Sequence, residues 1–330
     1  MVKVGVIGCG KIAITRHLPE YASNPDVEIA GVYDFNLERA KEVAEQYQTR
    51  AYESVEEMLN DPQIEAVSVC VRNSDHSKVT VDALRAGKHV LCEKPMAVSL
   101  DECKEMVKTA EKTGKKLMIG HNQRFNRTHM KAKELIKNGA IGKVLSFKTT
   151  FGHGGPETWT VDKKNVWFFD KRFSAFGAMA DLGVHKTDLL IFLLETKVKK
   201  VTAVLKTLDK KDAEGNLINV DDNAICIYEM ENGAVGTMTA SWTYYGEEDN
   251  STIIYGSEGI LKIYDDPNYS IVRIGKDGTK IYYELDKMQT NDNQTKSGII
   301  DSWVAAIKND TVPEVNGKDA LDAMKAIFAA

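Results

Sequence analysis

The sequence predicts an α/β protein with a parallel-sheet domain over residues 1–121 and a second α/β domain, built on a large and mainly antiparallel open sheet, over residues 122–330. Three observations carry that prediction. Strand and helix signals alternate with short connections as far as Asn122, a glycine-rich turn follows the first strand directly, and beyond Asn122 longer strands succeed one another with hairpin turns between them.

The elements follow in order. KVGVIG reads as a strand, Lys11 to Ala22 as a helix and VEIAGVYD as a strand; Ala40, Val43, Ala44 and Tyr47 recur at helical spacing over Leu37 to Tyr47. A short strand at Arg50 to Tyr52, a helix from Val55 to Leu59, the strand AVSVCV and a helix from Ser77 to Arg85 come next, with Gly87 placed to stop that helix. HVLCEKP is a strand, Leu100 to Thr113 a helix for which Ser99 and Glu102 form a capping box, and KLMIGHN a strand. Several of these strands are continuously apolar, as in a sheet covered on both faces. In the second part a helix over Thr128 to Lys137 precedes the strand KVLSFKTTFG, and a long polar and aromatic loop leads to a helix over Gly183 to Leu194. The strands VTAVLKTL, DNAICIYEM, AVGTMTASWT, STIIYG, GILKIYD, SIVRIG and KIYYEL follow, with turns such as ENGA, SEGI and KDGT, and helices over Gly298 to Lys308 and Ala320 to Phe328 end the chain.

Composition narrows the function. With 330 residues the chain has room for two domains, and 43 basic against 48 acidic residues leave a net charge of -5, which argues against a nucleic-acid partner. The amino terminus enters a strand at once, unlike a secretory leader, and no apolar run approaches the roughly 20 residues that span a bilayer. The five cysteines form no CxxC pair and read as reduced core residues of a cytoplasmic protein. The seven histidines form no H-x-x-x-H or H-E-x-x-H pair, so no metal site is expected.

In GVIGCGKIA, Gly8, Gly10 and Ala13 stand as G-x-G-x-x-A between strand and helix. The first glycine permits the tight turn, the second admits a pyrophosphate to the backbone, and the small third residue lets helix and strand pack closely. This makes the first domain a Rossmann dinucleotide-binding domain, with Lys11 and Ile12 on the loop beside the cofactor. Asp34 ends the second strand, where a carboxylate accepts from the adenosine ribose hydroxyls and repels the extra phosphate of NADP, so NAD is the expected cofactor. A plain turn-forming role before Asn36 is the alternative for Asp34, and Arg39 nearby leaves a minor NADP activity open.

The runs GCGKIA, AGKHVLCEKPMA and ADLGVHKTDLL together resemble the glucose-fructose oxidoreductase / inositol dehydrogenase / rhizopine catabolism (Gfo/Idh/MocA) family, in element order over essentially the whole chain. The resemblance implies an NAD(P)-dependent oxidoreductase of sugars or cyclitols whose open sheet contacts substrate and commonly forms a homodimer or homotetramer. It maps the family's lysine onto Lys94 and its acid–histidine pair onto Asp181 and His185, closest to the inositol dehydrogenase type. VCVRNSDH keeps Asn73 and His76 of the family's cofactor loop, with Arg72 where proline is frequent.

The chemistry suits these residues. Oxidation of a secondary alcohol needs a base for the hydroxyl proton and a cofactor face about 3 to 3.5 Å from the carbinol carbon. His185 is the candidate base; Asp181, four residues earlier, is expected to fix its tautomer or to bond the substrate, with Asp188 as a competing partner or a solvated helix residue. The blander alternative is a satisfied core histidine. Lys94 would donate to the reacting oxygen, Glu93 would hold the Lys94 ammonium or touch the cofactor, and Pro95, in a bond able to be cis, would shape the turn. The loop FGHGGPETWTVDKKNVWFFDKRF suits closure of a sugar-sized pocket, with His153, Lys163, Asn165 or Arg172 addressing hydroxyls, while Trp167 and Gln123 are candidates for the nicotinamide end; a surface loop with a satellite cluster is the alternative. Three functions remain: a dehydrogenase, an NAD-requiring glycosidase working by transient oxidation and elimination, and a non-catalytic NAD sensor, against which the presence of both Lys94 and His185 counts.

Overall fold

The computed structural model describes residues 1–161, 166–287 and 296–330. The first sheet comprises β1 (Val2–Ile7), β2 (Val27–Tyr33), β3 (Arg50–Ala51), β4 (Ala66–Val69), β5 (His89–Cys92) and β6 (Leu117–Ile119), all parallel, in the order β3-β2-β1-β4-β5-β6. Strand order reverses beside β1, and ligands of such sheets bind at the carboxyl ends of the strands at that point. Gly8, Cys70 and Glu93, each following its strand, therefore come together at one edge.

The helices of this half are α1 (Leu18–Ser23), α2 (Leu37–Gln46), α3 (Val55–Asn60), α4 (Asn73–Arg85) and α5 (Leu100–Thr113). Asn36, Ser54 and Ser99 cap α2, α3 and α5 through their side chains. The box at α5 is offset: Ser99 Oγ accepts from the Glu102 amide at 3.2 Å, while the Glu102 carboxylate reaches the Val98 amide. Two starts differ from the sequence expectation. A π-helical turn, Ala13–His17, precedes α1, where Pro19 near the start of α1 has no N–H to continue an α-helical ladder. Helix α4 begins a turn early, at Asn73, because Arg72 holds an extended backbone that no side chain caps.

In the second half come α6 (Arg127–Lys137), β7 (Val144–Gly152), α7 (Lys171–Ser174), a second π-helical turn at Met179–Gly183, and α8 (Val184–Leu194). The strands β8 (Val198–Lys206), β9 (Asn223–Met230), β10 (Val235–Ser241), β11 (Thr252–Gly256), β12 (Gly259–Ile263), β13 (Ile271–Gly275) and β14 (Lys280–Tyr283) join β7 in the order β14-β13-β12-β11-β7-β10-β9-β8. Neighbours are antiparallel except β7 and β10. One face packs on α8 and the second π turn; the other leaves Val204, Ile225, Ile227, Val235 and Tyr255 exposed in one register.

The final helices, α9 (Ile299–Lys308) and α10 (Gly317–Ala329), return to the first sheet. Ile119 donates to the Val315 carbonyl at 3.0 Å, Asn24 to Asp301 at 2.8 Å and the Ser297 amide to Glu20 at 2.8 Å, so the two halves share one continuous packed interior. Between the sheets, Arg124 forks onto Asp188 of α8, its Nε at 2.8 Å from Oδ2, with both side chains buried.

Candidate active site

A cleft of about 1780 Å³ opens between the sheets and runs from the glycine loop to the second π turn. At the loop, Gly8 has φ +96°, and a Cβ there would lie 2.4 Å from the Cys70 carbonyl oxygen, so the turn admits only glycine. Gly10 differs: an added Cβ meets nothing within 4 Å. The protein itself does not demand glycine at that position, and the open space suits a pyrophosphate. Ile14 makes the first helical bond, to the Gly10 carbonyl, which leaves the amides of Lys11, Ile12 and Ala13 ahead of the ladder for phosphate oxygens. Asp34 accepts from the Cys9 amide at 2.8 Å and the Asn36 amide at 2.9 Å, so turn-forming and cleft-lining roles coexist. Arg39 Nη1 lies 3.5 Å from Asp34 and over the ring of Phe35, which is 77% exposed at the cleft mouth. These residues fit a dinucleotide. Asn73 and His76 line the same wall; Asn73 donates to the Ser174 carbonyl, and His76 has its Nδ1 2.7 Å from the Pro95 carbonyl and its Nε2 3.1 Å from that of Val71.

The turn after β5 separates its two charges. The Lys94–Pro95 bond is cis. Lys94 Nζ donates to Asp181 Oδ1 at 2.7 Å and to the Asp181 carbonyl at 3.0 Å. Glu93 does not hold that ammonium: it faces the first π turn, where His17 Nε2 lies 2.8 Å from its Oε1 and Arg16 stands at 3.7 Å. Burial opposes its charge, yet the His17 contact and the charges of His17, Arg16 and Lys94 bring the carboxyl down to about 2. Gly120 makes room for this carboxylate, since a Cβ there would sit 2.9 Å from it.

Asp181 and His185 both line the cleft, as their spacing predicts, but Asp181 does not fix the histidine tautomer. Its Oδ1 is taken by Lys94 and its Oδ2 by Trp242 Nε1 at 3.1 Å. Burial works against the Asp181 charge, and Lys94, His153 and Trp242 outweigh it, so the carboxyl stays below its ordinary range. Asp188 is neither solvated nor bonded to His185; Arg124 holds it in the interior. His185 is buried at 9% exposure yet lines the cleft, and its enclosed Nδ1 lacks a hydrogen-bond partner among the described residues. Burial, followed by the charge of Lys94, drops the His185 pKa well below 6.5, so the ring is neutral at pH 7.

The long loop supplies the outer wall. His153 Nδ1 accepts from the Gly155 amide at 2.9 Å, and burial lowers its pKa despite the nearby Asp181 charge. Trp167 stacks on Phe168 at 3.8 Å and Trp159 meets Phe168 edge-on, all three facing the cleft. Arg172 also lines it, paired with Asp170. Lys163 and Asn165 lie outside the described residues. Gln123 is buried and is not among the cleft-lining residues; its backbone carbonyl, in the 3-10 turn Asn122–Phe125, accepts from the His129 ring. Residues beyond the sequence reading are Phe35, Arg16, His17, Trp242, the segment around Leu217 to Asn219, and His121 beneath His185. Among the described residues no cluster of three metal-binding side chains occurs.

A glycine loop at the switch point of a parallel sheet, facing a lysine, an aspartate and a neutral histidine across one cleft, defines a nicotinamide-nucleotide-dependent oxidoreductase. Residues 2–121 match the description "Oxidoreductase family, NAD-binding Rossmann fold", and residues 129–262 match "GFO/IDH/MocA C-terminal domain". The chain belongs to the Gfo/Idh/MocA oxidoreductase family. It is 26% identical to the myo-inositol 2-dehydrogenase of Thermotoga maritima over 334 aligned positions, covering 100% of this chain and 95% of the relative. It is 32% identical to the glucose-6-phosphate 3-dehydrogenase of Bacillus subtilis over 235 positions, 70% of this chain and 65% of that one. The aldose-aldose oxidoreductase of Caulobacter crescentus superposes with a TM-score of 0.84 at 25% identity, covering 100% and 97% of the two chains.

Gly8→Ala should lower the unfolding free energy by about 1–3 kcal/mol, read by urea denaturation, whereas Gly10→Ala should leave stability within about 0.5 kcal/mol of wild type and weaken NAD binding in calorimetry; a reversed pattern would refute the assignment of the two glycines. Burial depresses His76, His121, His153 and His185 below 6.5, and His129 to about 3. The unfolded chain then binds protons that the folded one does not, so stability is complete above pH 6.5 and is lost as pH falls through the folded values. The melting temperature should therefore drop between pH 7 and 5, before most carboxylates titrate; a flat profile there would contradict neutral burial.

Proposed function

We propose that the protein is an NAD-dependent dehydrogenase that oxidises a secondary alcohol carbon of a sugar or cyclitol, with His185 as general base and Lys94 polarising the reacting oxygen. The observation that carries this reading is the Lys94 ammonium, anchored by Asp181 at the cleft next to a neutral imidazole. An ammonium has three donors; Asp181 takes two, and the third is free to meet a substrate oxygen as it gains alkoxide character. With Nδ1 of His185 enclosed, Nε2 is the nitrogen on which the hydroxyl proton would arrive. Bound NAD supplies the hydride acceptor. Asp34 favours NAD over NADP, and the aromatic wall of Trp159, Trp167 and Phe168 suits the C–H face of a sugar ring. The activities for which relatives are named, myo-inositol 2-dehydrogenase and D-glucoside 3-dehydrogenase among them, support a polyol substrate.

NADH absorbance with myo-inositol, D-glucose, levoglucosan and p-nitrophenyl glucosides tests the reading. A dehydrogenase accumulates NADH, and Lys94→Ala should cut kcat by roughly 100- to 1000-fold. Release of p-nitrophenol without NADH would favour the elimination glycosidase instead, and a Lys94→Ala protein as active as wild type would sink the assignment.

We further propose that the exposed strip of Val204, Ile225, Ile227 and Tyr255 seats a second copy of the chain, giving a homodimer or homotetramer through the open sheet. Light scattering should show the oligomer for wild type and a smaller species for Ile227→Glu; a monomeric wild type would refute it.

A further inference from the structure

His121 follows β6, is buried at 1% exposure, and takes no part in lining the cleft. It lies against His185 edge-on, with ring centroids 6.4 Å apart at 80°. Three nitrogens of these two rings, His121 Nδ1, His121 Nε2 and His185 Nδ1, are enclosed with no hydrogen-bond partner among the described residues. Buried polar atoms in folded proteins are nearly always satisfied, by protein or by an internal water with two to four polar partners. At this separation the rings are too far apart for a direct nitrogen-to-nitrogen bond, while one water bridges about 5.5 Å with two bonds of roughly 2.8 Å. On the far side of His121, Asp188 Oδ1 lies 3.8 Å from Nε2, and Arg124 fixes that carboxylate. Burial holds both imidazoles neutral, so each ring has one donor and one acceptor nitrogen.

We infer that His121 is a positioning residue which, through one internal water, holds His185 in the tautomer with Nδ1 protonated and Nε2 free to act as base. The inference rests on the reading of His185 as the base. The Asp188 carboxylate draws the His121 proton to Nε2, which leaves His121 Nδ1 as an acceptor. The water donates to that nitrogen and accepts from His185 Nδ1–H. Asp181 cannot serve in this role, because Lys94 and Trp242 occupy its oxygens. When the alcohol proton arrives on Nε2 it stays there, and the imidazolium is steadied by the bond that Nδ1–H already makes. The charges facing the pair are Lys94, Arg16 and Lys186 around His185, and Asp188, Arg124, Glu93 and Lys94 around His121. His121 itself also lowers the His185 pKa, so the His185 tautomer, and not the pH profile alone, reports the bridge.

The test is His121→Phe in the full-length protein with NAD, followed by nitrogen-15 NMR of labelled histidine and by the pH–rate profile on the best substrate of the panel above. Wild type should show His185 as the Nδ1–H tautomer. His121→Phe should lose that preference, displace the acidic limb of the profile and lower kcat roughly 10- to 100-fold, a share of what proton transfer supplies. Its melting temperature should change little, because the two enclosed His121 nitrogens leave with the ring while His185 Nδ1 loses the bridge; a purely structural role predicts a lower melting temperature with the tautomer and kcat unchanged. His121→Gln, which keeps an acceptor, should recover part of the rate, and it carries the test if the phenylalanine variant does not fold. An unchanged His185 tautomer in a folded variant overturns the inference whatever the rate. A His185→Gln protein with wild-type activity would instead overturn the base assignment itself, so the two failures are distinguishable.

Discussion

The ion pair between Lys94 and Asp181 is the constraint on which the site depends. Lys94 follows β5 of the first sheet and Asp181 belongs to the π turn over the second, so one ammonium joins two layers that come together only in the folded chain. Asp181 needs this partner. A buried carboxylate without one is costly, and Lys94 first, then His153 and the Trp242 hydrogen bond, outweigh its desolvation. The same ammonium raises the local positive potential and helps keep His185 uncharged. One contact thereby fixes the lysine, ionises the aspartate and helps leave the imidazole neutral.

Charge is distributed around the cleft by the same logic. Glu93, adjacent to Lys94 in sequence, is turned away and absorbed by His17 and Arg16. Asp188, three residues after His185, is absorbed by Arg124. Glu93 and Asp188 thus each have basic partners of their own, while Asp181 pairs with Lys94. The second sheet contributes Trp242 and the aromatic loop, and the return of α9 and α10 to the first sheet ties the halves into one interior.

Much of this was legible in the residues because it depends on local rules. The alternation of strand and helix signals, Gly8 with its positive φ, Asp34 at the end of β2 and Lys94 after β5 are short-range patterns whose geometry follows from the peptide backbone. Partner choice was not legible at that range. Asp181 bonds residues 87 and 61 positions away in the chain, and the sequence neighbours that looked like partners, His185 for Asp181 and Lys94 for Glu93, were passed over. Gln123 looked placed for the nicotinamide and is buried away from the cleft lining, while His121, unmarked by any motif, lies edge-on against His185.

By itself, the sequence determined the two-sheet architecture, the dinucleotide loop and the set of side chains available for chemistry, because propensity, hydrophobic period and turn stereochemistry act over a few residues. Only the tertiary structure decided which acid pairs with which base and which imidazoles line the cleft. Those choices are made by desolvation and by Coulombic and hydrogen-bond terms between residues from different sheets, whose distances exist only after packing.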